Sequence, residues 1–323
     1  MYEGELGISQ AKEEYAARYG TPRGDCGLLG SRFVLEQGAK GFPEALEHIA
    51  NPPERLYGVG DPDALVEGLA VIGARKATPY GLMCARSFAG MAAERGITII
   101  SGGALGCDSA AHRAALDAGG RTVVFLGGGC DNVYPRRNRR LFQEVVDSGG
   151  AVVSEREWSF PPLPYTFRAR NRLIAGLARA TLIVEAGVPS GTFSTADDAL
   201  SANREVLAVP GSIASAGSRG ANHLICQGAT PIVDRETFED ALFSLFGCLR
   251  TEGSGGSRPM KDPILAALCA DPMAAEELIA AGLGGKSGAD PAASVAIRLA
   301  QLQREGLVVR HADGRYGPGS LFL

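Results

Sequence analysis

No two of the seven cysteines form a CxxC pair, and the four histidines, His48, His112, His223 and His311, are scattered. A zinc site needs a compact set of ligands, so no metal is expected. An odd number of dispersed cysteines (26, 84, 107, 130, 226, 248 and 269) does not make a disulfide framework. It suits reduced thiols in a cytoplasmic protein. No apolar run is long enough to cross a bilayer. The opening MYEGELGISQAKEEY lacks the basic start and apolar stretch of a secretory signal, so no membrane partner is expected. An excess of positive charge is also missing: 32 Lys and Arg stand against 36 Asp and Glu, a net charge of −4. Any nucleic-acid site must therefore be a local basic surface.

What is present is an ordinary globular composition, 45% hydrophobic and 21% charged, with length enough for two domains. Residues 1–40 are polar and Gly-interrupted, with a short helix predicted near Lys12–Arg18. Helix and turn signals run from Gly41 to Leu69. Then short apolar runs alternate with helical segments: residues 70–73, 97–100, 122–127, 151–154, 181–186, 205–211 and 230–233. Amphipathic stretches lie between them at 81–94, 109–118, 171–178 and 195–202. Near-continuous apolar strands spaced by helices predict a mostly parallel sheet covered on both faces. The fold class is a Rossmann-like, doubly wound α/β domain over 41–247. Its ligand is expected at the carboxyl ends of the strands. A Gly/Ser-rich linker follows at 248–258, then a small domain at 259–323. Helices at 263–270, 274–282 and 294–306, with a hairpin at 307–317, give a winged-helix-like pattern.

Four segments carry chemistry. SGGALGCDSAAHRAAL, from Ser101 to Leu116, follows a strand and opens a helix, with Asp108 or Ser109 placed to cap it. Its turn, Ser101, Gly102 and Gly103, allows a phosphate cradle at a helix N-terminus; glycines also serve a tight strand-to-helix turn. GARKATPYG, from Gly73 to Gly81, puts Arg75 on a strand-end loop, where a guanidinium holds phosphate bidentately. Residues 121–180 hold ten arginines against five acidic residues, in two bursts at 134–140 and 167–172. Tyr134, Tyr165 and Phe167 interleave with them. Arginine with aromatics suits single strands, whose phosphates are neutralised and bases stacked. Arg170 and Arg172 are expected to aim at the crevice. VPSGTFSTADDA, from Val188 to Ala199, brings Ser190, Gly191, Thr192 and Thr195 to a second helix start. A dinucleotide cofactor is disfavoured: the strand at 122–127 runs into GGGCDN, with Asp131 well inside the loop rather than at the strand end.

The ordered series GARKATPYG, SGGALGCDSAAH, YPRRNRRL, FRARNRLIAGLA, VEAGVPSGTFSTADDA, AVPG and GANHLICQGA resembles the DNA-processing protein A family, also called Smf, over roughly 41–233. The resemblance implies a single-stranded DNA-binding protein that helps load a RecA-type recombinase on incoming DNA in natural transformation. It also implies a homodimer, no cofactor, no catalysis, and a winged-helix-like appendage. Carried over by position, the phosphate pocket uses Gly73, Arg75, Ser101, Gly102, Gly103, Phe167, Arg170 and Arg172, with Ser190, Gly191 and Thr192 opposite. The alternative is a Rossmann-like phosphoribohydrolase acting on nucleoside monophosphates. Against it, no nucleophile–base–orienter set stands out, and Glu185 reads as a buried anchor or a base.

Overall fold

The structure is a computed structural model that describes residues 27–188, 191–248, 262–283, 290–311 and 313–319. The predicted helix near Lys12–Arg18 and most of the Gly/Ser linker lie outside the described residues. One sheet holds β1 (Arg32–Glu36), β2 (Arg55–Gly60), β3 (Gly68–Ile72), β4 (Ile99–Ser101), β5 (Thr122–Phe125), β6 (Ala151–Ser154), β7 (Ala178–Ile183), β8 (Glu205–Ala208) and β9 (Thr230–Pro231). Their spatial order is β1-β2-β6-β5-β4-β3-β7-β8-β9. From β6 to β9 every pairing is parallel, while β1–β2 and β2–β6 are antiparallel.

Each strand read from an apolar run is present. The first two were not read. Their signal is weak because β1 lies at the sheet edge and alternates exposed with half-buried residues, and its apolar run is only residues 33–35, flanked by Arg32 and Glu36. The sheet therefore begins at Arg32, and the expected boundary at Gly41 is corrected to include β1.

Helices α1 (Glu44–Glu47), α2 (Pro79–Glu94), α3 (Cys107–Asp117), α4 (Arg139–Asp147), α5 (Pro164–Leu177), α6 (Thr192–Ser201), α7 (Arg219–Cys226) and α8 (Arg235–Phe246) cover the sheet. In β3, successive side chains point to opposite faces, as a strand requires. Ala70 and Ile72 pack with Leu173, Ile174 and Leu177 of α5 and Ala196 of α6. Leu69 and Val71 pack with Phe88 of α2, Ala111 of α3 and Phe238 of α8. Burying one such large apolar side chain contributes about 1.5–3 kcal/mol, so both faces of the sheet are committed to the core.

The chain winds outward from β3 through β4 and β5 to β6, and α5 then carries it back to β7 on the other side of β3. The strand order reverses between β3 and β7. Loops leaving these two strands diverge there and open a crevice at their carboxyl ends.

Beyond the core, α9 (Pro263–Ala270), α10 (Ala275–Ala280) and α11 (Pro291–Arg304) precede a hairpin of β10 (Val308–Arg310) and β11 (Tyr316–Pro318). Ile264, Leu268, Leu278, Val295, Leu299, Leu302 and Val308 form a core of their own. Gly314, at φ +87°, takes the left-handed turn position.

Candidate nucleic-acid interface

The crevice between the β3 and β7 ends has a volume of about 420 Å³ and is lined by four segments: residues 72–75, Ala104 with Asp108 at the start of α3, α5 from Pro164 to Ile174, and the start of α6. Arg75 sits exposed at the tip of the loop after β3. Its guanidinium lies 5.7 Å from the centroid of the Phe167 ring, within cation–π range. Phe167 in turn meets Tyr134, ring centroids 5.4 Å apart. Gly127, just past β5, makes room for this ring: a Cβ there would stand 2.8 Å from a Phe167 ring carbon. The GGG run after β5 therefore clears space for packing.

Arg170 reaches the crevice from within a helix. It lies in α5 and is 5% exposed. Its Nη1 donates to Gly102 O at 2.8 Å and to Phe125 O. Its Nε reaches Asn171 Oδ1 at 3.3 Å. Burial pulls its pKa down to about 10, opposed by the neighbouring Asp108 carboxylate, so it remains a cation at neutral pH. Nη2 makes no hydrogen bond among the described residues, and Arg170 lines the crevice. It thus offers a rigid charged donor at the crevice floor.

The turn Ser101–Gly103 serves this arginine instead of touching the crevice. A Cβ on Gly102 would lie 2.6 Å from the Arg170 guanidinium, and one on Gly103 would lie 2.5 Å from the Phe142 ring. The Ser101 hydroxyl donates to Val71 O at 2.7 Å. These three residues form the wall behind the site, a correction to the expected direct cradle. The α3 cap also differs from expectation: Gly106, φ +85°, takes that place. A Cβ there would strike the backbone of Ala74 and Arg75, so this glycine lets the two loops touch. Asp108 instead accepts from Ala104 N at 3.2 Å, and burial raises its pKa. Gly73 is close-packed too, its Cβ position 2.7 Å from Cys107 Sγ.

Opposite Arg170, α6 begins at the crevice. Gly191, Thr192, Ser194 and Thr195 line it, and a Cβ on Gly191 would meet nothing within 4 Å. Ser190 lies outside the described residues. Asn171 Nδ2 donates to Ser194 Oγ at 3.0 Å, fixing α6 against α5. The N-terminus of this ten-residue helix is a favourable place for an anion.

Arg172 is not brought to the crevice. It bonds Glu155 at 2.5 Å, Asn51 O at 2.9 Å and Ala169 O at 2.8 Å, and so ties α5 to its neighbours. Two polar lining residues of α5 are not assigned to the site by the sequence: Arg168, counted only within the arginine burst and here exposed and without an ion pair among the described residues, and Asn171. The signal for both was the helix itself. Once α5 starts at Pro164, one turn carries Phe167, Arg168 and Asn171 together. Arg136 and Arg137, on a short 3-10 turn, are also exposed and unpaired among the described residues, whereas Arg139 bonds Gly27 O at 3.0 Å and Arg140 pairs with Glu144.

The acid–base candidates stand elsewhere. His112 is fully buried, with Nδ1 2.7 Å from Thr122 Oγ1, and burial lowers its pKa to about 3. Glu185 accepts from Thr78 and is an anchor. Asp108 is the one acidic side chain lining the crevice among the described residues.

Known proteins share this frame. Residues 33–242 match the family described as DNA recombination-mediator protein A. Protein Smf of Escherichia coli (strain K12) is 43% identical over 205 residues, which cover 60% of this chain and 55% of that protein, less than two thirds of its length. The X-ray structure of DNA processing protein A from Streptococcus pneumoniae matches with TM-score 0.60 and 35% identity, over 64% of this chain and 73% of that one. DNA processing protein A from Helicobacter pylori, whose structure is described for its single-stranded DNA binding mode, matches with TM-score 0.60 and 32% identity, over 67% and 97%. Most of the α/β domain is thus matched in sequence and in fold, and the chain belongs to the DNA recombination-mediator protein A family.

Proposed function

We propose that the crevice between the β3 and β7 ends holds the backbone of single-stranded DNA, and that the chain delivers that strand to a RecA-type recombinase as a cytoplasmic homodimer during natural transformation. The observation that carries this reading is the arrangement of three arginines on one crevice. Arg75 and Arg168 are exposed without ion pairs among the described residues, and Arg170 is buried with Nη2 free. Phosphate supplies the missing acceptors. Phe167 and Tyr134 give a surface on which bases stack. The family description, recombination mediator, and the single-stranded DNA bound by the Helicobacter pylori relative support the same reading. The site is read as a binding site without chemistry of its own, because its one acidic group, Asp108, is engaged by Ala104 N and the Arg170 charge. The segment from α9 to β11 is read as a winged-helix-like module that contacts protein or regulates.

Substitution tests the assignment. A hydrogen bond from a charged donor contributes about 1.5–3 kcal/mol, so Arg75→Ala should weaken single-strand binding by roughly tenfold or more with Tm unchanged. Arg168→Ala should act the same way. Arg172→Ala is the contrast: it breaks the Glu155 tie, lowers Tm, and leaves affinity within about twofold because it faces no ligand. Wild-type affinity in both Arg75→Ala and Arg168→Ala would move the site elsewhere.

A further inference from the structure

Glu185 stands just past β7, only 4% exposed, and outside the crevice lining. Its Oε2 accepts two hydrogen bonds from one residue, Thr78 N–H at 2.8 Å and Thr78 Oγ1–H at 3.1 Å. No cation pairs with it among the described residues. Thr78 is the N-cap of α2, its Oγ1 accepting from Gly81 N at 3.1 Å. The same loop, 73–78, carries Arg75 three residues earlier. Its other fixed point is Ala74 O, which accepts from Cys107 N at 3.2 Å. Between these two points Arg75, Lys76 and Ala77 make no backbone hydrogen bond among the described residues.

The surroundings of the carboxylate are cleared for it. A Cβ on Gly81 would run into Oε2, and a Cβ on Gly217, from the loop after β8, would run into Oε1. A further glycine, Gly73, leaves 3.1 Å between its Cβ position and the Glu185 amide nitrogen. Three glycines, on the loop after β3, in the first turn of α2 and on the loop after β8, thus close around one buried acid. A negative charge does not attract an anion, so its charge gives no benefit to phosphate binding. The feature that holds the loop is a hydrogen-bond acceptor at one point.

We propose that Glu185 is the positioning residue for Arg75: it clamps Thr78, and so fixes the loop that presents Arg75 to the DNA backbone, acting as an acceptor and not as a charge. The proposal rests on the reading that Arg75 contacts DNA. A glutamine places an amide oxygen where Oε2 stands and removes the charge.

The test is fluorescence anisotropy with a labelled oligo-dT on the full chain and its Arg75→Ala, Glu185→Ala, Glu185→Gln and Arg75→Ala/Glu185→Ala variants, with amide exchange at Thr78 measured before DNA is added. Glu185→Ala should lose about as much affinity as Arg75→Ala, roughly tenfold. Glu185→Gln should bind as tightly as the wild type or more tightly. The double variant should bind no worse than Arg75→Ala, since coupled residues are not additive. Thr78 exchange should quicken in Glu185→Ala and stay slow in Glu185→Gln. Should Glu185→Ala fail to fold by circular dichroism, Gly217→Ala displaces the carboxylate from the other side and should weaken binding several-fold. Wild-type binding by Glu185→Ala and Gly217→Ala alongside weak binding by Arg75→Ala overturns the proposal, as do fully additive losses or a Glu185→Gln as weak as Glu185→Ala. If Arg75→Ala itself binds normally, the reading of the crevice fails, while Thr78 exchange still decides whether Glu185 holds the loop.

Discussion

Arg168, Arg170 and Arg172 stand two residues apart on α5, which places Arg170 about 200° around the axis from Arg168, and Arg172 only about 40° from it. The core side of the helix therefore takes Arg170, and the opposite side keeps the other two. Neighbours then divide those two: Glu155 captures Arg172, and Arg168 is left to solvent and the crevice. His112 shows the same power of burial on a titrating group. Thr122 gives its single hydroxyl proton to Ile99 O at 2.7 Å, so His112 Nδ1 is the donor to Thr122, and Nε2 is left buried without a partner. Burial sets its pKa at about 3, against an ordinary 6.5. Between those values the unfolded chain holds a proton that the folded chain refuses, so stability rises with pH across this window and is lost as pH falls through it. The slope from this group approaches about 1.4 kcal/mol per pH unit. Urea unfolding from about pH 7 down to about pH 4 should show this decline, and His112→Gln should flatten it. A variant with the wild-type slope would locate the proton uptake in other groups.

Strands buried on both faces are easy to read, because every residue is apolar; β3, all five of whose residues are buried, is the clearest case. The edge strand β1 has one face open, and its apolar run of three residues, 33–35, is short and flanked by charges. The glycine-rich turn at Ser101–Gly103 was legible as a tight place, but the side chain that fills it comes from α5, far along the chain. Sequence spacing carries no record of that contact. For the same reason Arg168 and Asn171 were not assigned to the site, whereas Arg75, Phe167 and Arg170 were legible from residue type and position after strands. The three helices and hairpin after the core were legible from their 3.6-residue and two-residue periods. From Arg258 onward seven basic residues balance seven acidic ones, which leaves no electrostatic footprint for duplex DNA. Removing residues 252–323 should therefore leave single-strand affinity within a few-fold of the intact chain. Abolished binding with a folded core by circular dichroism would make that segment part of the DNA site.

A chain of net charge −4 has no general attraction for nucleic acid, so the proposed single-strand affinity must come from the few cations that the fold leaves unpaired. Among the described residues Arg75 and Arg168 line the crevice with Arg170 behind them, and the exposed Lys76, Arg136 and Arg137 are also without ion pairs. Most other arginines of the 121–180 stretch are tied down, as Arg139, Arg140, Arg156, Arg172 and Arg179 are. Under the proposed reading, a flexible single strand lays its phosphates against these arginines in the crevice. The most direct test is equilibrium binding of single-stranded and duplex oligonucleotides of one sequence across a salt series, with wild type and Arg75→Ala. Single-strand binding should be tighter at every salt and fall linearly in log–log form. For Arg75→Ala the slope should shrink by about 0.7, the share of one single-strand phosphate contact. Equal affinity for duplex, or an unchanged slope in Arg75→Ala, would contradict the account.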